Sequence, residues 1–245
     1  MSEQPKSIIV FTGAGISAES GIKTFRDNDG LWENFKVEDV ATPHGFEKNP
    51  QLVWDFYRQR HNQLSDVFPN EAHYALAKLE DKLTDLGYNF ILLTQNVDRL
   101  HQRGGSKNIH EIHGNLHDVK CSHCDYVETT QTYWKNDVIP NCPKCNKLLR
   151  PSIVWFGEVP DQDAYHTVAD NIKNCVAMAV IGTSCQVQPV AGLIHAANLQ
   201  GAEVFECNLE KALIPRFDES YHPYIGKATK SVPRLCDDMI KFARR

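Results

Sequence analysis

The sequence predicts an α/β fold in which a mainly parallel sheet carries helices on both faces. Two observations predict it. An apolar, β-branched run near the start stops at two glycines and continues as a helix-compatible segment. Further along, apolar strand-like runs alternate with amphipathic segments, the order typical of a parallel sheet. At 245 residues, the chain can form one large domain or a domain with a smaller companion.

The first predicted unit is a strand, a tight turn and a helix over residues 7–21. Gly13, Gly15 and Ala18 have the G-x-G-x-x-G/A spacing, in which glycines let the backbone approach a phosphate and the helix start supplies N–H groups. No acidic residue ends a second strand about 20 residues on, where an ordinary dinucleotide fold holds the ribose. This stretch alone leaves open a nucleotide site or a glycine turn of another α/β protein.

The later elements follow from periodicity and from breaks at proline and glycine. Residues 23–32 are polar and turn-rich, which favours a loop over a ligand, and residues 34–68 are predicted helical with breaks at Pro43 and Pro50. Further helices are expected over residues 71–86 and 232–243. Buried strands are expected over residues 90–94, 152–156, 176–181 and 203–207.

Small or polar residues follow four of the predicted strands. Ligands of a parallel sheet bind outside the carboxyl ends of its strands. Each group alone could be an ordinary strand-ending turn, but four on one rim predict a cleft for a polar nucleotide. The groups are Gly13 with Gly15, Gln95 to Asp98, Gly182 to Ser184, and Asn208 to Glu210.

Four of the eight cysteines form two C-x-x-C pairs separated by 17 residues: Cys121, Cys124, Cys142 and Cys145. This spacing is typical of a zinc ribbon, and four protein ligands leave no open position, so we predict one structural Zn²⁺. The rival interpretation is a pair of redox dithiols, but the surrounding sequence lacks a thioredoxin-type βαβ pattern. Acidic residues balance the lysines of the segment 117–149, which therefore does not predict a nucleic-acid reader.

The stretch from Ile109 to His117 offers a candidate general base. A zinc-protease site needs H-E-x-x-H on a helix, and here the second histidine comes too early. His113 precedes a glycine and has a side chain that titrates near neutrality, as a base at a turn would need. Spacing alone leaves a structural histidine equally open.

The overall charge and the first residues of the chain narrow the class of protein that the sequence can encode. A formal net charge of -5 argues against general nucleic-acid affinity. The first residues have no signal-peptide layout, and no apolar run reaches membrane-spanning length. We expect a cytoplasmic protein without membrane contact.

Several segments together resemble the sirtuin family of NAD-dependent protein deacylases. They appear in the family's order from about residue 8 to about residue 235, alongside the paired cysteines. The segments are Gly13-Ala14-Gly15-Ile16-Ser17, Thr24-Phe25-Arg26, Thr94-Gln95-Asn96-Val97-Asp98, His113-Gly114, Val154-Trp155-Phe156-Gly157-Glu158, Gly182-Thr183-Ser184 and Asn208-Leu209-Glu210.

This resemblance implies a large Rossmann-like domain over residues 1–33, 76–116 and 150–245. It also implies a small domain from a helical insertion, 34–75, and a zinc ribbon, 117–149. NAD would lie between the two and be consumed. Asn96 and Asp98 would hold the nicotinamide amide, Gln95 the ribose, and Phe25 and Arg26 the nicotinamide ribose and phosphates. The implied cofactor set is completed by Gly13, Ala14, Gly15, Ser17, Glu19, Thr24, Trp32, Val97 and, at the adenosine end, Gly182, Thr183, Ser184, Asn208, Leu209, Glu210 and Ala228.

The resemblance also implies the reaction. His113 would act as general base on the ribose hydroxyls, and the acyl group of an acylated protein lysine would pass to ADP-ribose. The products would be free lysine, nicotinamide and 2′-O-acyl-ADP-ribose. Mono-ADP-ribosylation on the same site is the alternative, while a dehydrogenase or a zinc-ribbon binding module would belong to other classes. A monomer is expected.

Within the family, Tyr57 and Arg60 are similar to the Tyr-x-x-Arg signature of enzymes that remove negatively charged acyl groups. Residues three apart share a helix face, and a guanidinium beside a phenol suits a carboxylate such as that of succinyl-lysine. Ala41 matches a small residue that widens the acyl pocket. Without the family context, an exposed arginine and a half-buried tyrosine would be the commoner outcome. The substrate segment would be Val154, Trp155, Phe156 and Gly157.

Overall fold

A computed structural model describes residues 5–23, 31–32, 35–185, 190–211 and 220–245. Within these ranges the helices are α1 (Val37–Val40), α2 (Pro43–Lys48), α3 (Pro50–Gln63), α4 (Glu71–Asp85), α5 (Leu100–Arg103), α6 (Gln162–Ile172), α7 (Val190–Leu199) and α8 (Ala228–Ala243). The strands are β1 (Ser7–Thr12), β2 (Leu31–Trp32), β3 (Phe35–Lys36), β4 (Asn89–Thr94), β5 (Ile109–Glu111), β6 (Gly114–Cys121), β7 (Val127–Thr129), β8 (Leu149–Ile153), β9 (Cys175–Ile181), β10 (Glu203–Asn208) and β11 (Tyr221–Ile225).

The main sheet has the strand order β11-β10-β9-β1-β4-β5, and every neighbouring pair is parallel. All six residues of β1 are buried, because this strand lies inside the sheet with helices on both faces. Ile8 and Val10 face a core shared with α4 and α8, whereas Ile9 and Phe11 face a core shared with α6 and α7. The predicted doubly wound, Rossmann-like sheet is confirmed.

A separate core lies beside the main sheet and contains α3 and the antiparallel sheet. The antiparallel sheet β7-β6-β8 packs against α3 through buried aromatic residues, among them Trp54, Tyr57, Trp134 and Trp155. The start of α3 is fixed locally, because the Asn49 side chain accepts a hydrogen bond from Leu52 N and Pro50 occupies the first helical turn. This core positions the helix face that carries Tyr57.

Three local predictions were wrong. The glycine turn is followed by two three-residue 3-10 turns, Ala14–Ile16 and Ala18–Ser20, rather than by an α-helix. The strand expected over 152–156 is Leu149–Ile153, and it pairs with β6 in the antiparallel sheet. The terminal helix begins at Ala228 rather than 232, with Pro233 inside it, a position that is usually unfavourable in a helix.

Among the described residues, none of the helices combines the length and apolar character needed to cross a membrane.

Candidate active site

The turn after β1 packs directly against the turn after β9. Gly13 N donates to Ile181 O at 2.9 Å, and Gly15 N donates to Gly182 O at 2.8 Å. A Cβ atom on Gly15 would lie 2.6 Å from Gly182 Cα, and Gly182 itself has φ 64°. Glycine is therefore required here because two backbones approach each other closely. The contact brings the first and third predicted rim groups together.

The same turn shows how Glu19 is used. Its two carboxylate oxygens accept from Thr229 N and Thr229 Oγ1, both at 2.9 Å, at the start of α8. Acceptors at a helix start satisfy N–H groups that lack an intrahelical partner. Glu19 and the buried Ala228 thus join the glycine turn to α8, and their roles at a cofactor remain predictions. A pyrophosphate cradle could not rest on an α-helix directly after the turn, since two short 3-10 turns follow it instead.

Ser17, Asn96 and Asp98 form a buried hydrogen-bonded group beside the glycine turn. Asn96 Nδ2 donates to Gly13 O at 3.1 Å and to Ser17 Oγ at 3.2 Å, and Ser17 Oγ donates to Asp98 Oδ2 at 2.7 Å. Asp98 Oδ1 accepts from Leu100 N at 2.9 Å. Burial raises the pKa of Asp98 against these hydrogen bonds. The predicted nicotinamide residues are thus locked to the turn by direct contacts.

His73 extends this group and was missed by the sequence analysis. Its Nδ1 accepts from Asn70 N at 3.2 Å in a capping box at the start of α4, so its Nε2 carries the proton and faces Ser17 Oγ at 3.4 Å. Burial lowers the pKa of His73 to about 4, which keeps the ring neutral. The sequence signal was an asparagine three residues before a histidine at a helix start.

His113 lies between β5 and β6, held by backbone contacts on both sides. Ile112 N donates to Thr94 O at 3.0 Å, and Val154 N donates to His113 O at 3.0 Å. The ring is hydrogen-bonded to the Gln95 backbone. Burial lowers the pKa of His113, and this hydrogen bond opposes the effect. The imidazole is half-buried.

Gln95 connects His113 to the rest of the rim. Thr183 Oγ1 donates to Gln95 Oε1 at 3.2 Å, and the same Oε1 atom would lie 3.0 Å from a Cβ on Gly13. Gln95 therefore lies between His113 and the turns after β1 and β9. Val97 follows on the same loop, where its carbonyl accepts from Leu116 N at 2.9 Å.

The fourth rim group adjoins the third. Asn208 Nδ2 donates to Thr183 O at 3.1 Å and to the buried Glu206 Oε1 at 2.9 Å. Leu209 is 70% exposed, and Glu210 and half-buried Ser184 also reach solvent. An apolar side chain in water at a polar rim is available to pack on a flat ligand.

Tyr57 and Arg60 lie on one face of α3, and both are buried, unlike the commoner outcome for such residues. Tyr57 Oη accepts from Trp155 Nε1 at 3.0 Å, and Arg60 Nη1 donates to Phe56 O at 2.6 Å. Burial raises the pKa of Tyr57, while the indole hydrogen bond and the charge of Arg60 oppose the rise. A protonated phenol and a guanidinium thus lie on the same buried face of α3, which forms a wall.

The segment from Val154 to Gly157 joins this wall to His113. Val154 N contacts the His113 carbonyl, and Phe156 N donates to Ala41 O at 3.0 Å. Trp155 points into the core, whereas Phe156 is 57% exposed, and Gly157 turns the chain at φ 89°. The predicted substrate residues therefore form one continuous segment that connects His113, beside the main sheet, to Ala41, in the core around α3.

The four paired cysteines converge as predicted. Their sulfur atoms all lie within 4.8 Å of one another, with Cys121 Sγ 3.4 Å from Cys145 Sγ and Cys124 Sγ 3.6 Å from Cys142 Sγ. Tetrahedral Zn²⁺ with Zn–S bonds of about 2.3 Å needs sulfur separations of about 3.8 Å. The cluster is therefore positioned to bind a structural zinc ion, and the other four cysteines are buried away from it.

Four predicted cofactor residues cannot be placed in this geometry. Thr24, Phe25 and Arg26 lie outside the described residues, and Trp32 is placed by its backbone alone, in β2.

The chain is similar to known proteins over nearly its whole length. The Sir2 family model matches residues 13–189. The NAD-dependent protein deacylase of Salmonella typhimurium is 45% identical over 252 residues, which covers 98% of this chain and 86% of that protein. A solved Sir2 homologue–NAD complex has a TM-score of 0.84 and 37% identity, covering 97% of this chain and 91% of that one. A Sir2 homologue mutant in complex with 2′-O-acetyl ADP ribose has a TM-score of 0.85 and 38% identity, covering 98% and 94%.

Proposed function

This chain belongs to the Sir2 family, and on that premise we propose that it is an NAD-dependent protein deacylase with a pocket for negatively charged acyl groups. It would remove acetyl, succinyl and malonyl groups from lysine side chains. The proposed products are free lysine, nicotinamide and 2′-O-acyl-ADP-ribose, with one water consumed. The deacylase names of the relatives do not favour the ADP-ribosyltransferase alternative.

The observation that carries the proposal is the link between His113 and the glycine turns. The Gln95 backbone raises the pKa of the imidazole, the direction expected when its carbonyl accepts from one ring nitrogen and leaves the other to take a proton. Gln95 in turn contacts Thr183 beside Gly13. A base placed here can receive the proton of a ribose hydroxyl as that hydroxyl becomes a nucleophile.

The polar residues of the rim suit NAD, which supplies a ribose carbon bearing a good leaving group. Asn96 and Asp98 present an amide and a carboxylate held in place by Ser17, and these groups complement the carboxamide of nicotinamide. We propose that the adenosine binds at the other end of the rim. The residues proposed to contact it are Thr183, Ser184, Asn208, Leu209, Glu210 and Ala228. The buried surroundings would keep water away from the reacting carbon.

The acyl specificity is proposed from the wall formed by α3. A guanidinium has five N–H donors in a planar fork that fits a carboxylate, and the hydrogen bond to Phe56 O uses one of them. The Arg60 Cζ atom lies 3.3 Å from the centroid of the Phe56 ring, which holds the guanidinium plane on the helix surface. Ala41 contributes no side-chain bulk beyond Cβ beside this wall.

We also propose the division into a large and a small domain, with acylated lysine bound between them by a monomer in the cytoplasm. Ala72 and Leu76 of α4 belong to the core of the main sheet, which supports an earlier end of the proposed helical insertion. The first insertion would therefore end near residue 70 rather than 75. None of the eight cysteines, all of which the structure describes, forms a disulfide, as is usual in a reducing compartment.

The test is the double substitution Tyr57→Phe with Arg60→Met. We expect it to lower kcat/KM for a succinylated peptide by about 100-fold or more, since two charge-directed hydrogen bonds of about 1.5–3 kcal/mol each are lost. Deacetylation of the same peptide sequence should change little, because an acetyl group has no carboxylate. Matched mass-spectrometric assays on the two peptides measure both rates. Equal losses on the two substrates would contradict the charged-acyl pocket.

A further inference from the structure

We propose that Trp155 is a positioning residue for acyl specificity: its indole N–H, donated to the Tyr57 hydroxyl, sets the direction in which that hydroxyl presents its own proton. The inference rests on the proposed function, which places the carboxylate of a charged acyl group beside Tyr57 and Arg60. It adds a residue that acts on the acyl group through Tyr57 rather than by contact.

The hydrogen bond between the two side chains is short and buried. Trp155 Nε1 lies 3.0 Å from Tyr57 Oη, and the side chains are 2% and 0% exposed. Their rings are 6.4 Å apart between centroids and inclined by 28°. An indole nitrogen only donates, so the phenol oxygen must accept. A phenol that accepts from one side directs its own O–H away from that side.

Trp155 is itself held in place by further contacts. Arg150 Cζ lies 3.7 Å from the centroid of the indole ring, and Arg150 Nη2 is 2.7 Å from both carboxylate oxygens of Glu158. Glu158 Oε2 also accepts from the backbone N of Trp155 at 2.9 Å. The indole is thus held by a paired guanidinium on its face, by the phenol at its N–H edge and by Glu158 at its backbone N, so its N–H has little freedom to turn.

A directed proton matters for a carboxylate and not for an acetyl group. An ionised carboxylate only accepts hydrogen bonds, so it needs donors aimed at it. Burial raises the pKa of Tyr57, so the phenol keeps its proton at neutral pH. The acetyl group ends in a methyl, which gains nothing from the orientation of the hydroxyl. Loss of the indole N–H should therefore affect charged acyl groups selectively.

The position of Trp155 also connects the Trp155–Tyr57 hydrogen bond to the part of the site that contains His113. The neighbouring Val154 N donates to the His113 carbonyl, and Phe156 N donates to the Ala41 carbonyl, each at 3.0 Å. The segment that holds the acyl-lysine in the proposed function therefore carries the residue that orients the acyl-group donor.

The experiment is a double-mutant cycle of Trp155→Phe and Tyr57→Phe, measured as the ratio of kcat/KM for succinyl and acetyl forms of one peptide. Trp155→Phe keeps a ring for Arg150 and removes the N–H. We expect it to lower the succinyl-to-acetyl ratio by about tenfold, the effect of one hydrogen bond of about 1.4 kcal/mol, whatever loss both peptides share through the substrate segment. In the Tyr57→Phe background, Trp155→Phe should lower the ratio no further.

Trp54→Phe is the matched control, because Trp54 is a buried tryptophan of the same core whose Nε1 donates to Leu149 O at 2.9 Å. It removes an equivalent hydrogen bond and should leave the ratio unchanged. If Trp155→Phe does not fold, replacement of Trp155 by benzothienylalanine removes the N–H at nearly constant shape.

Two outcomes would overturn the proposal. Equal losses on both peptides, or a further fall of the ratio in the Tyr57→Phe background, would show that Trp155 acts only as packing, and the charged-acyl function would stand. An unchanged ratio for Tyr57→Phe alone would instead remove Tyr57 from the acyl pocket, and the proposed specificity would fail together with the inference.

Discussion

The chemistry proposed for this chain depends first on the state of single side chains. His113 combines partial burial, which disfavours the charged imidazolium, with a hydrogen bond to the Gln95 backbone that fixes the ring. His73 is neutral for a related reason, and its Nε2 proton faces Ser17. His113 is therefore held in the neutral form that a general base needs.

The pH dependence of the reaction tests the state of His113. A general base must be neutral, and burial lowers the pKa of His113 below its ordinary value of 6.5. Activity should thus persist as the pH falls through 6.5 and decline only below it. The measurement is the acid limb of kcat/KM on an acetylated peptide, with NAD binding followed at each pH as the control. An acid limb centred above pH 6.5 would contradict the assignment.

Residue spacing predicted some of these roles and not others. The two cysteine pairs predicted a metal cluster because thiolate ligands need a fixed local spacing. His113 could not be chosen from spacing alone, since its partner Gln95 lies in the loop after β4, far from it in the sequence. His73 was missed because its role depends on contacts with Ser17, which is distant in the sequence.

At the scale of elements, the zinc cluster organises the antiparallel sheet. Cys121 closes one knuckle by donating its N–H to Tyr126 O at 2.8 Å, and Cys142 closes the other by donating to Lys147 O at 2.7 Å. Cys121 also ends β6, the strand that begins beside His113. Metal binding would therefore stabilise β6 and its neighbour β8, which leads into the substrate segment.

Removal of one zinc ligand tests this role. Cys121→Ser should reduce bound zinc from one per chain towards zero and lower the thermal midpoint by about 10 °C, since a loss of several kcal/mol shifts the midpoint by about 2–4 °C per kcal/mol. Zinc content and thermal unfolding measure the two effects. Cys175→Ala, a buried cysteine outside the cluster, is the control and should keep its zinc. Full zinc content in Cys121→Ser would contradict the four-cysteine site.

Two elements differ from the sequence prediction because tertiary contacts outweigh the local pattern. The run after Gly15 is compatible with a helix, but close packing on Gly182 leaves room only for 3-10 turns. The apolar run at 152–156 has the composition of a buried strand, yet only its start pairs with β6. The remainder is extended by contacts with His113 and Ala41, which no local pattern encodes.

For the whole molecule, the sequence predicted the parallel sheet and the edge at which its four polar groups meet. Buried strands with β-branched residues and glycine or polar ends are local signals, and parallel pairing brings their carboxyl ends to one edge. The structure places all four predicted groups there. The segment from Val154 to Gly157 connects the main sheet to the core around α3, and this connection depends on tertiary packing. In the sequence, only the family resemblance indicated it.

The most direct test of the whole account is His113→Ala, because the account holds that the glycine turns bind NAD and that His113 supplies the base. Calorimetric NAD binding should stay within about threefold of the wild type. NAD-dependent release of nicotinamide and deacylated peptide should fall by about 10²–10⁴-fold, the usual contribution of a general base. Deacylation at near the wild-type rate by this variant would contradict the account.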